Sequence, residues 1–171
     1  MGLTPLEGVI MGTRCGNIDP AIVPFMMKQE NLSVEQIDTI MNKESGILGL
    51  FGKSSDHRDV EDGYLAGSEK ETMILEMYTN AILKYIGSYA ALLGGVDAIV
   101  FTAGVLENSI IQRKLLAERL AWLGVDFDES LNNFRGEEKK LTKEGSKVQL
   151  WVIPTDEELM IAKDTYELAK A

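Results

Sequence analysis

Two short β-rich runs, each followed at once by a turn and a helical pattern, constrain the fold of this chain more than any other feature. The first lies in the stretch 98–109, A-I-V-F-T-A-G-V-L-E-N-S. Its apolar residues 98–101 are flanked by Gly94, Gly95 and Asp97 on one side and by Ala103 and Gly104 on the other, which predicts a buried strand. From 109 to 123 the apolar residues Ile111, Leu115, Leu116, Leu120 and Leu123 keep helical spacing. Arg113, Lys114, Glu118 and Arg119 fall elsewhere, and Gly124 supplies a stop. The second run, V-Q-L-W-V-I at 148–153, is closed by Pro154. Thr155-Asp156-Glu157-Glu158 then reads as a capping box opening a final helix, with Leu159, Ala162, Tyr166 and Ala169 facing inward. Consecutive strand–turn–helix units favour parallel strands and right-handed crossovers, so the tips of both turns are predicted at one end of an α/β sheet.

A turn of this kind exposes backbone N–H groups at the start of its helix, where a phosphate can settle, but most such turns in α/β domains bind nothing. The rest of the chain narrows the choice. Its 171 residues, 45% of them hydrophobic, suit a single domain with its own core. A formal charge of -10, from 27 acidic and 17 basic residues, argues against nucleic acid or an anionic membrane as the main partner. The lone cysteine, Cys15, excludes an internal disulfide framework and reads as an ordinary loop residue. No apolar run approaches the roughly 20 residues of a membrane span, and the N-terminus lacks signal-peptide features. A cytoplasmic location is therefore expected.

The remaining segments read as helices separated by loops. Residues 1–16 form a glycine-rich loop, and Asp19-Pro20 opens a short helix that Pro24 is expected to distort. Ser33 and Gln36 make a capping box for a helix with Val34, Ile37, Ile40 and Met41 on its apolar face, ended by Gly46. Residues 46–67 read as loop and hold the polar cluster Ser54-Ser55-Asp56-His57-Arg58-Asp59. Ser68 and Glu71 open the longest helix, whose stripe of Ile74, Tyr78, Ile82, Tyr85, Ile86, Tyr89 and Leu93 suits a core or subunit interface until Gly94-Gly95 stops it. The charged stretch 125–147 reads as solvated surface with at most a short hairpin.

Three features could carry chemistry. Glu157, at the head of a helix after a strand, could hold Mg²⁺ against a nucleotide, or could simply favour the helix dipole. Arg14, in a glycine-flanked loop, could clamp a phosphate or carboxylate with its planar fork, or be a surface arginine. Asp56, His57 and Arg58 could meet ribose, base or phosphate, although a lone histidine in a polar loop is commonly solvated. No serine or cysteine nucleophile pairs with His57 from sequence, and neither a G-x-x-x-x-G-K-[ST] loop nor a G-x-G-x-x-G turn is present.

Four segments together resemble motifs of the acetokinase family, within the actin and sugar-kinase superfamily, in matching order and spacing. They are M-G-L-T-P-L-E-G-V-I-M-G-T-R at 1–14, S-S-D-H-R-D-V-E-D at 54–62, F-T-A-G-V-L-E-N-S at 101–109 and I-P-T-D-E-E-L-M-I-A at 153–162. The resemblance implies a partial ribonuclease H-like domain, a mixed sheet with flanking helices whose early strands are absent. It further implies that residues 1–171 form one domain resembling the C-terminal nucleotide-binding domain of acetate kinase, without the N-terminal domain.

The activity implied is reversible transfer of the ATP γ-phosphoryl group to acetate, giving acetyl phosphate and ADP, with Mg²⁺ or alternatively Mn²⁺. By the same resemblance Arg14 stabilises charge on the transferring phosphoryl group and Glu157 is the Mg²⁺-associated glutamate. Asp56, His57 and Arg58 match a nucleotide-binding segment, and Gly104, Val105, Leu106, Glu107 and Asn108 match the loop bordering the adenosine. The family usually has glycine at the position of Leu106, so this turn is expected to lose a permissive backbone position. An Asn, an Arg, an Asp and a His of the family's N-terminal half have no counterparts here, so the isolated chain is expected to be inactive. A homodimer through this domain is implied, and the competing expectations are a non-catalytic nucleotide-binding or dimerisation module and a propionate or butyrate kinase piece.

Overall fold

The computed structural model describes residues 2–170. The chain divides into two compact units, the first ending at Ala91 and the second beginning at Leu92.

The first unit is helical: α1 (Ile22–Gln29), α2 (Val34–Lys43), α3 (Gly46–Phe51), α4 (His57–Leu65) and all but the last two residues of α5 (Glu69–Leu93). The capping box at α2 forms as expected, the Ser33 hydroxyl accepting from the Gln36 N–H and the Gln36 side chain from the Ser33 N–H. Pro24 does not distort α1. It is the third residue of the helix, where the N–H it lacks would have no intrahelical partner.

Gly46 does not end α2, which closes at Lys43, but begins α3. It is left-handed at φ 64°, and a Cβ there would lie 2.2 Å from the Met11 carbonyl oxygen, so only glycine fits. That close approach anchors the N-terminal loop: the Ile47 N–H donates to Met11 O at 2.9 Å and the Met11 N–H to Arg14 O at 3.1 Å. The stretch expected to be loop, 46–67, thus holds two short helices. The hydrophobic centre of this unit is Ile37, Ile47, Phe51, Val60, Ile74 and Leu75. On α5 the buried face runs through Glu71, Ile74, Leu75 and Thr79, while Tyr89 and Leu93 of the expected stripe are exposed.

The second unit holds β1 (Ala98–Phe101), α6 (Ala103–Asn108), α7 (Ile110–Glu118), β2 (Lys139–Lys140), β3 (Gln149–Val152) and α8 (Glu157–Lys170). The sheet order is β1-β3-β2. β1 and β3 are parallel, Ala98 opposite Gln149 through Phe101 opposite Val152, and β2 is antiparallel to β3. The fold is therefore α/β with a small mixed sheet and flanking helices.

Five local expectations are corrected. β1 is an edge strand rather than a buried one, with Phe101 buried but Val100 exposed. The segment after it is not a simple turn, since α6 intervenes before the longer α7. The inward face of α7 and the turn after it is Gln112, Arg113, Leu116, Ala117 and Leu120, a stripe rotated from the predicted one so that an arginine is fully buried. Finally, 125–147 is not merely solvated surface, because Val125, Asn132, Phe134, Leu141 and Thr142 are buried beside Leu150 and Val152. On α8, by contrast, no residue is buried, and the expected inner face at Leu159 and Tyr166 is exposed.

Candidate active site

The parallel pairing of β1 and β3 sets their carboxyl ends side by side, so the turns that follow, at 102–104 and 154–156, emerge together. Hydrogen bonds join them. The Thr102 and Thr155 hydroxyls are 2.7 Å apart, and the Ala103 N–H donates to Thr155 Oγ1 at 3.2 Å. Glu107, one turn into α6, reaches back so that its Oε1 accepts from both the Thr155 N–H and the Thr155 hydroxyl at 2.9 Å. Partial burial pushes the Glu107 carboxyl up. Hydrogen bonds from the Thr155 backbone and side chain, the Ala103 N–H and the Thr102 hydroxyl more than offset this and hold it below the usual carboxylate range.

Thr155 is therefore not the N-cap of α8. Its hydroxyl is turned to α6, and Asp156 between it and the helix is left-handed at φ 52°. The expectation of free N–H groups for a phosphate after β1 changes for the same reason. The Ala103 N–H is occupied by Thr155, and the longer α7 is capped by Ser109, whose hydroxyl accepts from the Gln112 N–H at 2.8 Å. Leu106 lies within α6 and is not among the residues with positive φ, so this backbone requires no glycine there.

Between the turns is an open cavity of about 350 Å³, lined by Ala103, Gly104 and Glu107 from one side and by Thr155 and the acidic run 156–158 from the other. Of the expected residues, Gly104, Glu107 and Glu157 line it and Val105, Leu106 and Asn108 do not; Asn108 bonds its own helix through Gly104 O at 2.8 Å. The charged groups at this cavity are carboxylates, hard oxygen donors of the kind Mg²⁺ accepts. Among the described residues no group of three or more His, Cys, Asp or Glu is placed to hold a metal. A cation here would keep water or phosphate oxygens in its coordination shell, as Mg²⁺ commonly does.

Arg113 supports this arrangement from beneath. Its buried guanidinium donates to Leu106 O at 3.1 Å and Glu107 O at 2.9 Å, which are orphan carbonyls at the end of α6. It also donates to Asn132 Oδ1 at 2.7 Å, Asn132 O at 3.0 Å and Phe134 O at 2.7 Å, and lies 4.3 Å from the centre of the Phe134 ring. Sequence reasoning missed Arg113, Thr102 and Thr155. The i, i+3, i+4 template discards a charged residue from an apolar face, and Thr155 satisfied a capping pattern.

The other expected residues lie in the first unit. Asp56 caps α4, accepting from the Arg58 N–H at 2.9 Å, and forms a two-oxygen pair with the Arg58 guanidinium, Nε lying 3.0 and 3.1 Å from its oxygens. These bonds lower its carboxyl to about 2. His57 is not solvated: its side chain is packed 5.0 Å from the Tyr78 ring, with Nε2 3.7 Å from Glu61. Arg14 is half-buried on the loop anchored at Gly46, its Nη1 3.9 Å from the Met11 sulfur. Gly12 of that loop meets Ser55, a Cβ on it lying 3.2 Å from Ser55 O, so the loop and the 54–58 segment are neighbours. A larger cavity of about 530 Å³ in this unit, between the N-terminal loop and α5, is lined by none of the expected residues.

A mixed sheet whose parallel strands end in joined turns over an acidic cavity defines an α/β protein with a candidate site at the strand ends. Residues 1–163 match the acetokinase family model, and the chain belongs to that family. It is 50% identical over its whole length to the acetate kinase of Halothermothrix orenii, of which it spans 43%, and 55% identical over 98% of its length to that of Carboxydothermus hydrogenoformans, of which it spans 42%. Its fold matches the crystal structure of Porphyromonas gingivalis acetate kinase at a TM-score of 0.90 and 45% identity, covering 99% of this chain and 43% of that one. A propionate kinase from Francisella tularensis matches at 0.86 and 38% identity, covering 95% and 41%. The chain thus spans less than half the length of these relatives. Among the described residues no helix is long and apolar enough to cross a membrane.

Proposed function

We propose that this chain carries the nucleotide and Mg²⁺ side of an acetate kinase-type site. The observation that carries the reading is the pair of joined strand-end turns that sets Glu157 and Gly104 on one acidic cavity. In the reaction a carboxylate oxygen of acetate attacks the γ-phosphorus of ATP, the bond to the β–γ bridging oxygen breaks, and acetyl phosphate and ADP form. Little covalent help is needed from protein beyond positioning and charge neutralisation.

The roles follow from side-chain chemistry and the family resemblance. The loop of Gly104, Val105, Leu106 and Asn108, with Glu107 among them facing Thr155, borders the adenosine, and Asp56, His57 and Arg58 belong to a second nucleotide-binding segment. The fork of Arg14 neutralises charge on the phosphoryl group in flight. Glu157 holds Mg²⁺, directly or through water, and Mg²⁺ when bound offsets the charge of the phosphate oxygens. Without that cation the carboxylates of the cavity repel a polyphosphate.

Calorimetric titration of the chain with ADP and Mg²⁺ tests this. Glu157→Ala is expected to weaken Mg²⁺-dependent binding by on the order of tenfold or more, as loss of a metal-supporting group does. Failure of the unaltered chain to bind MgADP overturns the reading. A second reading, a dimerisation module, is favoured by Met73, Met77, Tyr89, Leu92 and Leu93, exposed on α5. Sedimentation equilibrium showing a stable dimer with no nucleotide binding supports it. The likeness to a propionate kinase leaves propionate beside acetate as acceptor.

A further inference from the structure

We propose that Glu107 is a positioning residue, whose carboxylate acts as a latch between the two strand-end turns rather than as a contact to nucleotide or metal. The proposal rests on the nucleotide and Mg²⁺ reading of the cavity and assigns Glu107 a different part in it.

Glu107 Oε1 receives two hydrogen bonds from one residue of the other turn, the backbone N–H and the hydroxyl of Thr155, both at 2.9 Å. Thr102 lies at the edge of the same group, its hydroxyl 3.5 Å from Oε1 and 2.7 Å from that of Thr155. The oxygen is therefore committed to protein donors 48 residues away in sequence. The carboxylate's own helix is held in turn, because Arg113 donates to the Leu106 and Glu107 carbonyls and the Gly136 N–H to Glu107 O at 3.1 Å.

The latch spans two unfavourable backbone conformations. Among the described residues only Asn31, Ala103 and Asp156 are non-glycine residues with positive φ, and the last two adjoin Thr102 and Thr155. A left-handed alanine is disfavoured and persists where surrounding bonds over-determine it. Here the Ala103 N–H donates to the Thr155 hydroxyl, and that hydroxyl and the Thr155 N–H donate in turn to Glu107 Oε1. Asp156 is the residue through which the chain turns from Thr155 into α8, so fixing Thr155 fixes where Glu157 enters the cavity.

Two variants separate positioning from contact. Gln at 107 retains an oxygen that accepts from the Thr155 N–H and hydroxyl but carries no charge, whereas Ala retains neither. Hydrogen exchange of the full chain without ligand reads the latch alone. Glu107→Ala is expected to speed exchange of the Ala103 and Thr155 amides by about tenfold or more, and Glu107→Gln to restore most of the protection. Titration with ADP and Mg²⁺ reads its consequence: Glu107→Ala weakens binding by about tenfold, and Glu107→Gln recovers most of the loss.

Combining Glu107→Ala with Thr155→Val should cost less than the sum of the two single variants, because both remove the bond between the Thr155 hydroxyl and Glu107, although Thr155→Val also strips the Ala103 N–H and the Thr102 hydroxyl of their partner. Equal damage by Gln and Ala in the titration, full additivity with Thr155→Val, or unchanged amide exchange in Glu107→Ala would each overturn the proposal. If the unaltered chain takes no MgADP, the nucleotide reading falls while exchange still decides whether the latch exists. Should Glu107→Ala fail to fold, Glu107→Gln and Thr155→Val carry the same comparison.

Discussion

At the scale of single residues, the charged side chains divide by what they touch. Asp56 and Arg58 hold each other on the surface, and the pair depresses the Asp56 carboxyl to about 2. A carboxyl lowered on folding contributes stability that is present above its unfolded value near 3.9 and lost as pH falls through the folded value. Because the pair is exposed, that contribution is small and screened by salt. Carboxyl-carbon NMR should find Asp56 titrating near 2, and Arg58→Met should return it toward the ordinary range. A titration unchanged by Arg58→Met would show that the pair does not form in solution. Arg113 is the opposite case, a buried cation satisfied by carbonyl and amide oxygens. Removing it strands several of those oxygens, so Arg113→Met should cost about 3 kcal/mol or more in urea unfolding. A loss under about 1 kcal/mol would mean water replaces it.

At the scale of elements, local chemistry was legible wherever the partners are close in sequence. The Ser33–Gln36 box formed as read because both partners lie within one turn of α2. Ser33→Ala should therefore lower stability by about 1 kcal/mol in thermal unfolding, and an unchanged melting temperature would contradict this. The same pattern at Thr155 did not form, since Glu107 competes for that hydroxyl and Asp156 is left-handed. Gly46 looked like a helix stop and is instead the point where the N-terminal loop crosses α3. In each case the local sequence allows two outcomes, and a contact from a distant residue selects between them. Of the candidate residues named from sequence, Gly104, Glu107 and Glu157 line one cavity, whereas Arg113 and Thr155, which hold the turns beside it, were not named.

At the scale of the whole molecule, the family assignment and the length of the chain pull in different directions. The chain belongs to the acetokinase family, yet spans 43% of the Halothermothrix orenii enzyme. Charge stabilisation and positioning supply most of the catalysis in phosphoryl transfer and depend on groups from both sides of the phosphorus. The purified 171-residue chain, assayed by hydroxamate trapping with acetate, ATP and Mg²⁺, should give no turnover above background. Substantial acetyl phosphate formation would show that these residues suffice.

The sequence by itself determined the α/β class, the two strands with helices after them and the family, because strand and helix periodicity and contiguous motifs are local properties of the chain. Only the tertiary structure decided which face of α7 turns inward, where the Thr155 hydroxyl points, and that Glu107 ties the turn after β1 to the turn after β3. Those outcomes depend on hydrogen bonds between residues such as Glu107 and Thr155, 48 positions apart, and no local pattern records which donor reaches which acceptor once the strands have paired.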